Sequence, residues 1–213
     1  MQPLTRSLFL LGLLAPSTPA QDEAVPEIDS LQDAIQQGRT WIHLNYRVEF
    51  ADQDTFDKDA LASTLRTALG FESASYHGFR GLIEFEDISN LGNDIYNSTT
   101  NGEANRPVVA DPNSTEVNQV YAAYTGLENF ELKIGRQEII YGNHRFVGNV
   151  AWRQNHQSFD AVRADWSAPS GTNLSYAYLD TVNRIFGEDN PAGEEQMASH
   201  LLDLRHTFEG VAW

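Results

Sequence analysis

Basic and acidic residues alternate with apolar residues in several segments of this sequence, and their side chains could bind ions or charged solutes. In residues 42–50 the even positions are apolar or aromatic, whereas Arg47 and Glu49 are charged. Because successive side chains of a β-strand point to opposite faces, this pattern predicts strands with one apolar face and one charged face. The charged residues expected to line a pore are Arg47, Glu49, Arg66, Arg80, Glu84, Glu86, Lys133, Arg163, Asp165 and Arg205.

This charged face supports two interpretations, and one does not exclude the other. The charges could form cross-strand ion pairs that hold the strands in register. They could also form a ladder of arginines that attracts anionic solutes into a pore, because rings of basic side chains select anions in channels. Of the 14 basic residues, only Lys58 and Lys133 are lysines. Arginine suits fixed, bidentate contacts with anions better than lysine does.

A second set of charged residues surrounds a long connection after the fifth predicted strand. Glycines at 135, 142 and 148 allow this segment to fold tightly. The segment is interpreted either as an inward fold that narrows a pore or as an ordinary extracellular loop held by ion pairs. Apolar residues such as Phe146 and Trp152 favour the inward fold, because burial removes their surface from water. The expected constriction residues are Arg136, Glu138, Arg145 and Arg153.

Several classes of function are disfavoured. The net charge of −16 opposes binding to nucleic acid, which requires a basic surface. Glu84 and Glu86 could suggest glycoside hydrolysis, but arginines are available to pair with both, so no catalytic residue and no enzyme is predicted. The histidines lack metal-ligand spacing, and the acidic segment 52–59 lacks the glycine and terminal glutamate of a calcium loop. We expect a solvated acidic loop there, with neither a metal nor a cofactor.

The N-terminal residues are typical of an exported protein. A basic residue precedes a short apolar run with small residues after it, so residues 1–20 are predicted to be a cleaved signal peptide. Residues 21–38 are predicted to form a periplasmic linker with a short helix, capped by Ser30 and running from Leu31 to about Gln37. No later segment has about 18 consecutive apolar residues, so a membrane-embedded protein would have to cross with strands.

Residues 39–213 contain about eight predicted strands with connections of unequal length. The connections after strands two, four and six are short, whereas those after three, five and seven are long and polar, the last covering residues 181–199. Outer-membrane barrels have short periplasmic turns and long extracellular loops. Strands of about ten residues also suit a tilted bilayer crossing. The predicted fold class is therefore all-β, an antiparallel up-and-down β-barrel that spans the outer membrane.

A protein of another class could share the alternation. In a secreted all-β carbohydrate-binding or adhesive protein, the charged face would simply be wet. The two alternatives differ in the position of the aromatic residues, because a sandwich buries them between sheets whereas a barrel directs them outward near the two interfaces. The aromatic residues expected to face outward in a barrel are Trp41, Tyr46, Phe50, Phe71, Phe79, Trp166, Tyr176 and Tyr178.

The C-terminal residues lack the pattern of a closing strand. Trp213 and Val211 are apolar, as expected, but Arg205, Thr207 and Glu209 occupy the preceding alternate positions. We therefore expect residues 39–213 to be the N-terminal part of a larger barrel, truncated at the C-terminus.

Two segments carry short motifs. The first runs from Arg39 to Asp87, and the second, from Leu132 to Arg163, contains Gly-Arg-Gln, Arg-Phe, Trp-Arg-Gln and Phe-Asp-x-x-Arg. Together they resemble the alginate-export-type family of bacterial outer-membrane porins. The resemblance implies a monomeric barrel of about eighteen strands with basic residues at its constriction. The matching basic positions are Arg47, Arg66, Arg80, Lys133, Arg136, Arg145 and Arg163.

The predicted function follows from the pattern and the resemblance together. We expect a porin in contact with the lipid of a Gram-negative outer membrane. It would allow passive diffusion of small, anionic solutes through an arginine-lined lumen. The expected solutes are sugar acids or oligo- and polysaccharides such as alginate.

Overall fold

This computed structural model describes residues 28–92 and 94–208. The predicted signal peptide and residues 209–213 lie outside the described residues. One helix is followed by eight strands, whose bounds are as follows: α1, Leu31–Gln36; β1, Arg39–Ala51; β2, Ala60–Glu72; β3, Phe79–Asn90; β4, Ser114–Leu127; β5, Phe130–Gln137; β6, Ser158–Ser167; β7, Thr172–Asn183; and β8, Glu194–His206.

Helix α1 begins at the predicted cap. The Ser30 hydroxyl accepts a hydrogen bond from the Asp33 backbone N–H at 3.0 Å, which satisfies one of the free donors of the first turn. The Ala34 carbonyl accepts from the Ala74 N–H at 2.9 Å, so the helix is attached to the turn between β2 and β3. Over residues 28–92 and 94–208, no helix has the length and apolar character needed to cross a membrane.

The strands form one antiparallel sheet in which every strand pairs with its neighbours in sequence, in the order β1 to β8. The connections 73–78, 128–129 and 168–171 lie at one end of the sheet, which we call the turn end. The connections 52–59, 91–113, 138–157 and 184–193 lie at the other, which we call the loop end. The all-β, up-and-down arrangement is therefore as predicted. Within the described residues, β1 and β8 do not pair with each other.

The last long connection is shorter than predicted. Strand β7 continues to Asn183, which pairs with Glu194, so the connection covers 184–193 rather than 181–199. A register shift between Leu179 and Thr181 interrupts the regular ladder at this point. A bulge inserts an extra residue and breaks the strict alternation of side chains, so the sequence pattern of a strand is lost beyond it.

The sheet buries the face that carries its charged residues and exposes the face that carries its apolar residues, which is the reverse of the usual arrangement. In β2, every even-numbered residue from Ala60 to Glu72 is buried, including Thr64 and Arg66. The odd-numbered residues between them are exposed or half-buried. Leu69 is 51% exposed and Arg66 only 6%. We call the side of Arg66 the charged face and the side of Leu69 the apolar face. Water-soluble sheets bury their apolar face, and this sheet leaves it uncovered.

The aromatic residues predicted to face outward lie on the apolar face, with one exception. The apolar face exposes Tyr46, Phe50, Phe79, Trp166 and Tyr176. Phe71 and Tyr178 are half-buried on the same face.

Trp41 was predicted to face outward, and this prediction is wrong. Its indole N–H donates to a Glu84 carboxylate oxygen on the charged face at 3.0 Å. Gly70 makes room for the ring, because a Cβ there would come within 2.1 Å of the indole. The odd position of Trp41 in β1 already places it on the side of Arg47, so the alternation should have outweighed its aromatic character.

The long connections pack against the charged face at the loop end. In connection 91–113, Tyr96 and Val109 form a buried apolar cluster with alanines of β1 and β2. In connection 138–157, Ile139 is fully buried in a second cluster with Phe159 and Leu179. Part of the charged face is consequently covered by chain, whereas the part near the turn end is left open.

Candidate functional site

The charged face divides into two regions. The covered region lies under connections 91–113 and 138–157, and its charged members are Arg47, Glu49, Arg66, Glu84, Glu86, Asp111, Glu138, Arg153 and His156. The open region lies nearer the turn end, and its charged members are Glu72, Arg80, Glu131, Lys133, Arg163, Asp165, Asp203 and Arg205.

Arg66 is the central cation of the covered region. Its Nη2 atom lies 2.8 Å from a Glu86 oxygen and 3.9 Å from a Glu84 oxygen. Its Nε–H also donates to Glu86 at 2.8 Å. All three side chains are less than 10% exposed. Two carboxylates therefore share one buried guanidinium, and removing it would leave both with neutral hydrogen-bond donors but without this buried countercharge.

Glu138 connects the beginning of the long connection to this cluster. It accepts hydrogen bonds from Asn118 at 2.9 Å and Asn149 at 2.6 Å, and it lies 2.9 Å from His156 Nδ1. Burial acts to raise its pKa, but these hydrogen bonds and the positive field of His156 outweigh it and hold the pKa of Glu138 below its ordinary value. The backbone N–H of His156 donates to Glu86 at 3.0 Å, so the connection is fastened at both ends.

Gln154 anchors the middle of connection 138–157. Its amide nitrogen donates to the Thr64 carbonyl at 3.0 Å and to the Asn45 carbonyl at 3.1 Å. Its backbone N–H donates to Asp111 at 3.0 Å. The residue is fully buried. One side chain thus joins the connection to both β1 and β2.

Arg47 and Arg153 share two carboxylates at the edge of the covered region. Arg47 pairs with Glu49, and Arg153 Nη1 lies 3.2 Å from the same carboxylate. The Asp111 Oδ2 atom lies 3.8 Å from Arg47 and 3.7 Å from Arg153, and it has no hydrogen-bond partner among the described residues. Burial lowers the pKa of Arg153 and outweighs the opposing attraction of Asp111 and Glu49.

The open region consists mainly of pairs two residues apart on one strand, and its basic side chains are more exposed than Arg66. Lys133 lies 3.1 Å from Glu131 on β5, Arg163 lies 2.8 Å from Asp165 on β6, and Arg205 lies 2.8 Å from Asp203 on β8. Arg80 bridges Glu72 at 3.1 Å and Glu131. These basic side chains are 20 to 51% exposed, so water reaches each of them.

Strand register places like charges next to each other in the open region. Lys133 is directly opposite Arg163, and Glu131 is directly opposite Asp165. Ala123 pairs with both Arg80 and Lys133, so these two cations lie in the same row across the sheet. We call Arg80, Lys133 and Arg163 the basic row. Like charges opposite each other are unfavourable, and here each cation is compensated by an acid on a neighbouring row.

A groove of about 210 Å³ lies at the β6–β8 end of the open region. Charged and hydroxyl side chains that line it include Tyr141, Arg163, Asp165, Asp203 and Arg205. Of the charged residues predicted to line a pore, Arg163, Asp165 and Arg205 therefore come together at one groove.

The four predicted constriction residues are separated by the structure. Glu138 and Arg153 belong to the covered region, and Arg145 is exposed beside Phe146. Arg136 lies within β5 and makes two hydrogen bonds to Asp160, at 2.8 and 3.1 Å. It is opposite Val120, which is on the apolar face, so Arg136 lies on that face and away from the other three.

Several residues of the covered region were not predicted. Asp111, Asn118, Gln154 and His156 carry its contacts to the connections, and no periodic pattern marks them because they lie in connections or at a bulge. Within the Trp-Arg-Gln motif at 152–154, the sequence predicts a role only for Arg153. In the described part of the chain, no group of three or more His, Asp or Glu residues could hold a metal ion.

Most of the chain matches the model of a known protein family. The family model described as alginate export matches residues 28–178. This range includes α1, six complete strands and both connections that cover the charged face. A comparison of the chain with curated proteins found no match.

Proposed function

Because the chain belongs to the alginate export family, we propose that it forms part of the wall of an outer-membrane pore, through which small anionic solutes diffuse passively along an arginine-lined lumen. At the level of the family, its role is alginate export at the outer membrane, which is transport and not catalysis. The proposed solutes are sugar acids and oligo- or polysaccharides such as alginate.

The observation that carries this proposal is the reversed burial of the sheet. Leucines and aromatic residues cover the exposed face, whereas Arg66 and Glu86 are buried on the other. In a lipid-embedded barrel, the outer surface is apolar and the interior is polar. A secreted all-β sandwich would bury the face that this sheet exposes, so the alternative of a carbohydrate-binding or adhesive protein is disfavoured.

The basic row supports anion passage. Arg80, Lys133 and Arg163 are side by side across β3 to β6 and remain accessible to water. Their carboxylate partners lie on adjacent rows and are partly exposed, so a solute carboxylate can replace a protein carboxylate, which water then solvates. Surface ion pairs of this kind contribute about 0 to 1 kcal/mol each, so replacing one carboxylate partner by another costs little free energy.

The proposal includes the surroundings of the protein. The apolar face, with exposed Ile42, Leu44 and Leu202, contacts outer-membrane lipid. Residues 1–20 direct export and are removed, and residues 21–38 are a periplasmic linker whose helix α1 lies at the turn end. The barrel acts as a monomer of about eighteen strands, to which residues 39–213 contribute the N-terminal part.

The test is electrical. The protein expressed from its complete gene is reconstituted in planar bilayers, and the reversal potential is measured in asymmetric potassium chloride. We expect a reversal potential of the sign given by anion preference. Lys133→Glu should shift it toward cation preference, and adding Arg163→Glu should shift it further, whereas Arg136→Glu on the apolar face, matched in charge to the single change Lys133→Glu, tests for a general effect of charge. Cation preference in the unmodified protein, or no conductance, would contradict the proposal.

A further inference from the structure

Trp152 is an exposed aromatic residue on a rigid part of connection 138–157. Its side chain is 62% exposed, although the next three residues, Arg153, Gln154 and Asn155, are less than 10% exposed. The Trp152 carbonyl accepts a hydrogen bond from Arg47 Nη1. The backbone at and after Trp152 is therefore fixed, while the ring itself is largely exposed.

Two guanidinium groups flank the indole of Trp152. The Arg153 Cζ atom lies 4.1 Å from the ring centroid and the Arg47 Cζ atom 5.6 Å from it. Both arginines belong to the charged face or to the connection packed on it. Despite these two neighbours, Trp152 is 62% exposed, so part of the electron-rich ring remains accessible to a ligand that carries partial positive charge.

Phe146 offers a comparison within the same connection. Its side chain is 91% exposed, and Arg145 lies 5.5 Å from its ring centroid. The neighbouring residues from Gly142 to Arg145 are exposed too, so this ring lies on a less buried part of the connection than Trp152 does. Binding is stronger where a group is ordered before the ligand arrives, and Trp152 has that advantage whereas Phe146 does not.

The combination defines a chemical class of ligand. A pyranose ring has an apolar side of C–H groups that carry partial positive charge, which suits the face of an indole. A carboxylate on the same ring suits a guanidinium beside that indole. A simple inorganic anion uses only the second contact, and a neutral sugar uses only the first. Sugar acids use both.

We propose that Trp152, flanked by Arg47 and Arg153, is a stacking subsite for uronate rings of the transported solute. This inference rests on the proposed function, because it assigns a residue that distinguishes sugar acids from other anions within the same lumen. The subsite slows a uronate oligomer at the edge of the covered region, whereas small anions pass. A solute that the subsite retains blocks the ionic current for long enough to be measured.

The experiment measures current block in planar bilayers with the protein expressed from its complete gene. Short mannuronate oligomers are the probe, and tripolyphosphate is the anion without a sugar ring. For each variant, the half-blocking concentration is expressed relative to its own open-channel current. We compare the unmodified protein with Trp152→Ala, Trp152→Phe and Phe146→Ala.

For Trp152→Ala we expect the half-blocking concentration of mannuronate to rise about tenfold, equal to about 1.4 kcal/mol. Trp152→Phe should recover part of the block, because it keeps an aromatic face, and Phe146→Ala should behave as the unmodified protein. Block by tripolyphosphate should change much less than block by mannuronate in Trp152→Ala.

Two results would overturn the inference while leaving the pore intact. One is an anion-preferring channel in which Trp152→Ala leaves mannuronate block unchanged. The other is an equal loss of block by mannuronate and tripolyphosphate, which would assign the effect to displaced arginines. Absence of anion-preferring conductance in the unmodified protein would instead contradict the proposed function itself.

Discussion

The covered and open regions of the charged face use the same residue types in different ways. In the covered region, Arg66 is 7% exposed and shares two buried carboxylates, and amide side chains such as Gln154 complete the contacts. In the open region, Arg163 is 20% exposed and pairs with Asp165 on its own strand. The first arrangement fixes the chain in place. The second leaves charges in water, where they can exchange partners.

The comparison teaches that pairing alone does not define a role for a charged residue. A buried pair resists exchange because separating its members leaves an uncompensated charge away from water. An exposed pair is weak because water and salt screen it. The centre of the covered region, around Arg66, therefore acts as structure. The open region, and the edge of the covered region at the exposed Trp152, are the better candidates for contact with a moving solute.

Arg66→Ala gives the sharpest test of the difference. Because Glu84 and Glu86 lose their shared cation, we expect the free energy of unfolding to fall by about 3 to 5 kcal/mol. Urea unfolding of the protein folded in lipid vesicles measures this value. Arg163→Ala is the matched control from the open region, and an equal loss in both variants would remove the distinction between the regions.

Gln154→Ala tests whether the connection is fastened to the wall by this side chain. The change leaves the Thr64 and Asn45 carbonyls without the donor they share, at an expected cost of about 2 to 3 kcal/mol. We also expect the connection to become more sensitive to protease and the channel current to become noisier. Asn143→Ala, at an exposed position of the same connection, is the control and should alter neither property.

Glu138→Gln tests the charge at the beginning of the connection. Loss of the charge-assisted contact with His156 should lower the free energy of unfolding by about 2 kcal/mol at pH 7. Glu103→Gln, in connection 91–113 and paired with Arg106 at 3.1 Å, should cost less because its side chain is 36% exposed. A larger loss for Glu103→Gln would argue against a tightly held Glu138.

The pH dependence of Glu138 has a definite sign. In the folded protein, the pKa of Glu138 is below the ordinary glutamate value of about 4.3. The ionised carboxylate therefore stabilises the fold fully above pH values of about 4.3. This contribution disappears as the pH falls through the lower, folded pKa. Between pH 5 and pH 3 the unmodified protein should therefore lose more stability than Glu138→Gln. Parallel curves for the two proteins would show that Glu138 does not titrate in this way.

Arg163→Ala has the smallest expected effect on stability, below about 1 kcal/mol, since its ion pair is reached by water. Its effect should appear in transport instead. We expect a smaller anion preference in the reversal potential, because one member of the basic row is lost. Arg136→Ala, which removes a paired arginine from the apolar face, should leave the reversal potential unchanged. A shift in both variants would mean that charge anywhere on the wall is sufficient.

Much of the sheet could be predicted from alternation. Period two identifies the strands and the face of each residue, and it would have placed Trp41 correctly had its aromatic character not been given more weight. It also puts Arg136 on the apolar face, although the glycine-rich sequence after it suggested a loop. The alternation within one strand depends only on residues that are neighbours in sequence, so it can be predicted from the sequence alone.

The division of the charged face could not be predicted in this way. Whether Arg66 or Arg163 is buried depends on which connection packs over it, and that contact joins residues far apart in the sequence. Asp111 and His156 lie in connections, where no period indicates a neighbour. Register shifts between Glu84 and Phe85 and between Asp160 and Ala161 further separate sequence position from position in the sheet.

The pairing of Lys133 with Arg163 and of Glu131 with Asp165 also bears on how the sheet assembles. A slip of β6 by two residues would keep every side chain on its face and would bring opposite charges together, Lys133 with Asp165 or Glu131 with Arg163. The native register is thus locally frustrated: Coulomb attraction favours a misaligned neighbour, and the apolar face and the turns must select the correct alignment. Such conflict between local preference and final fold is expected where residues are kept for function.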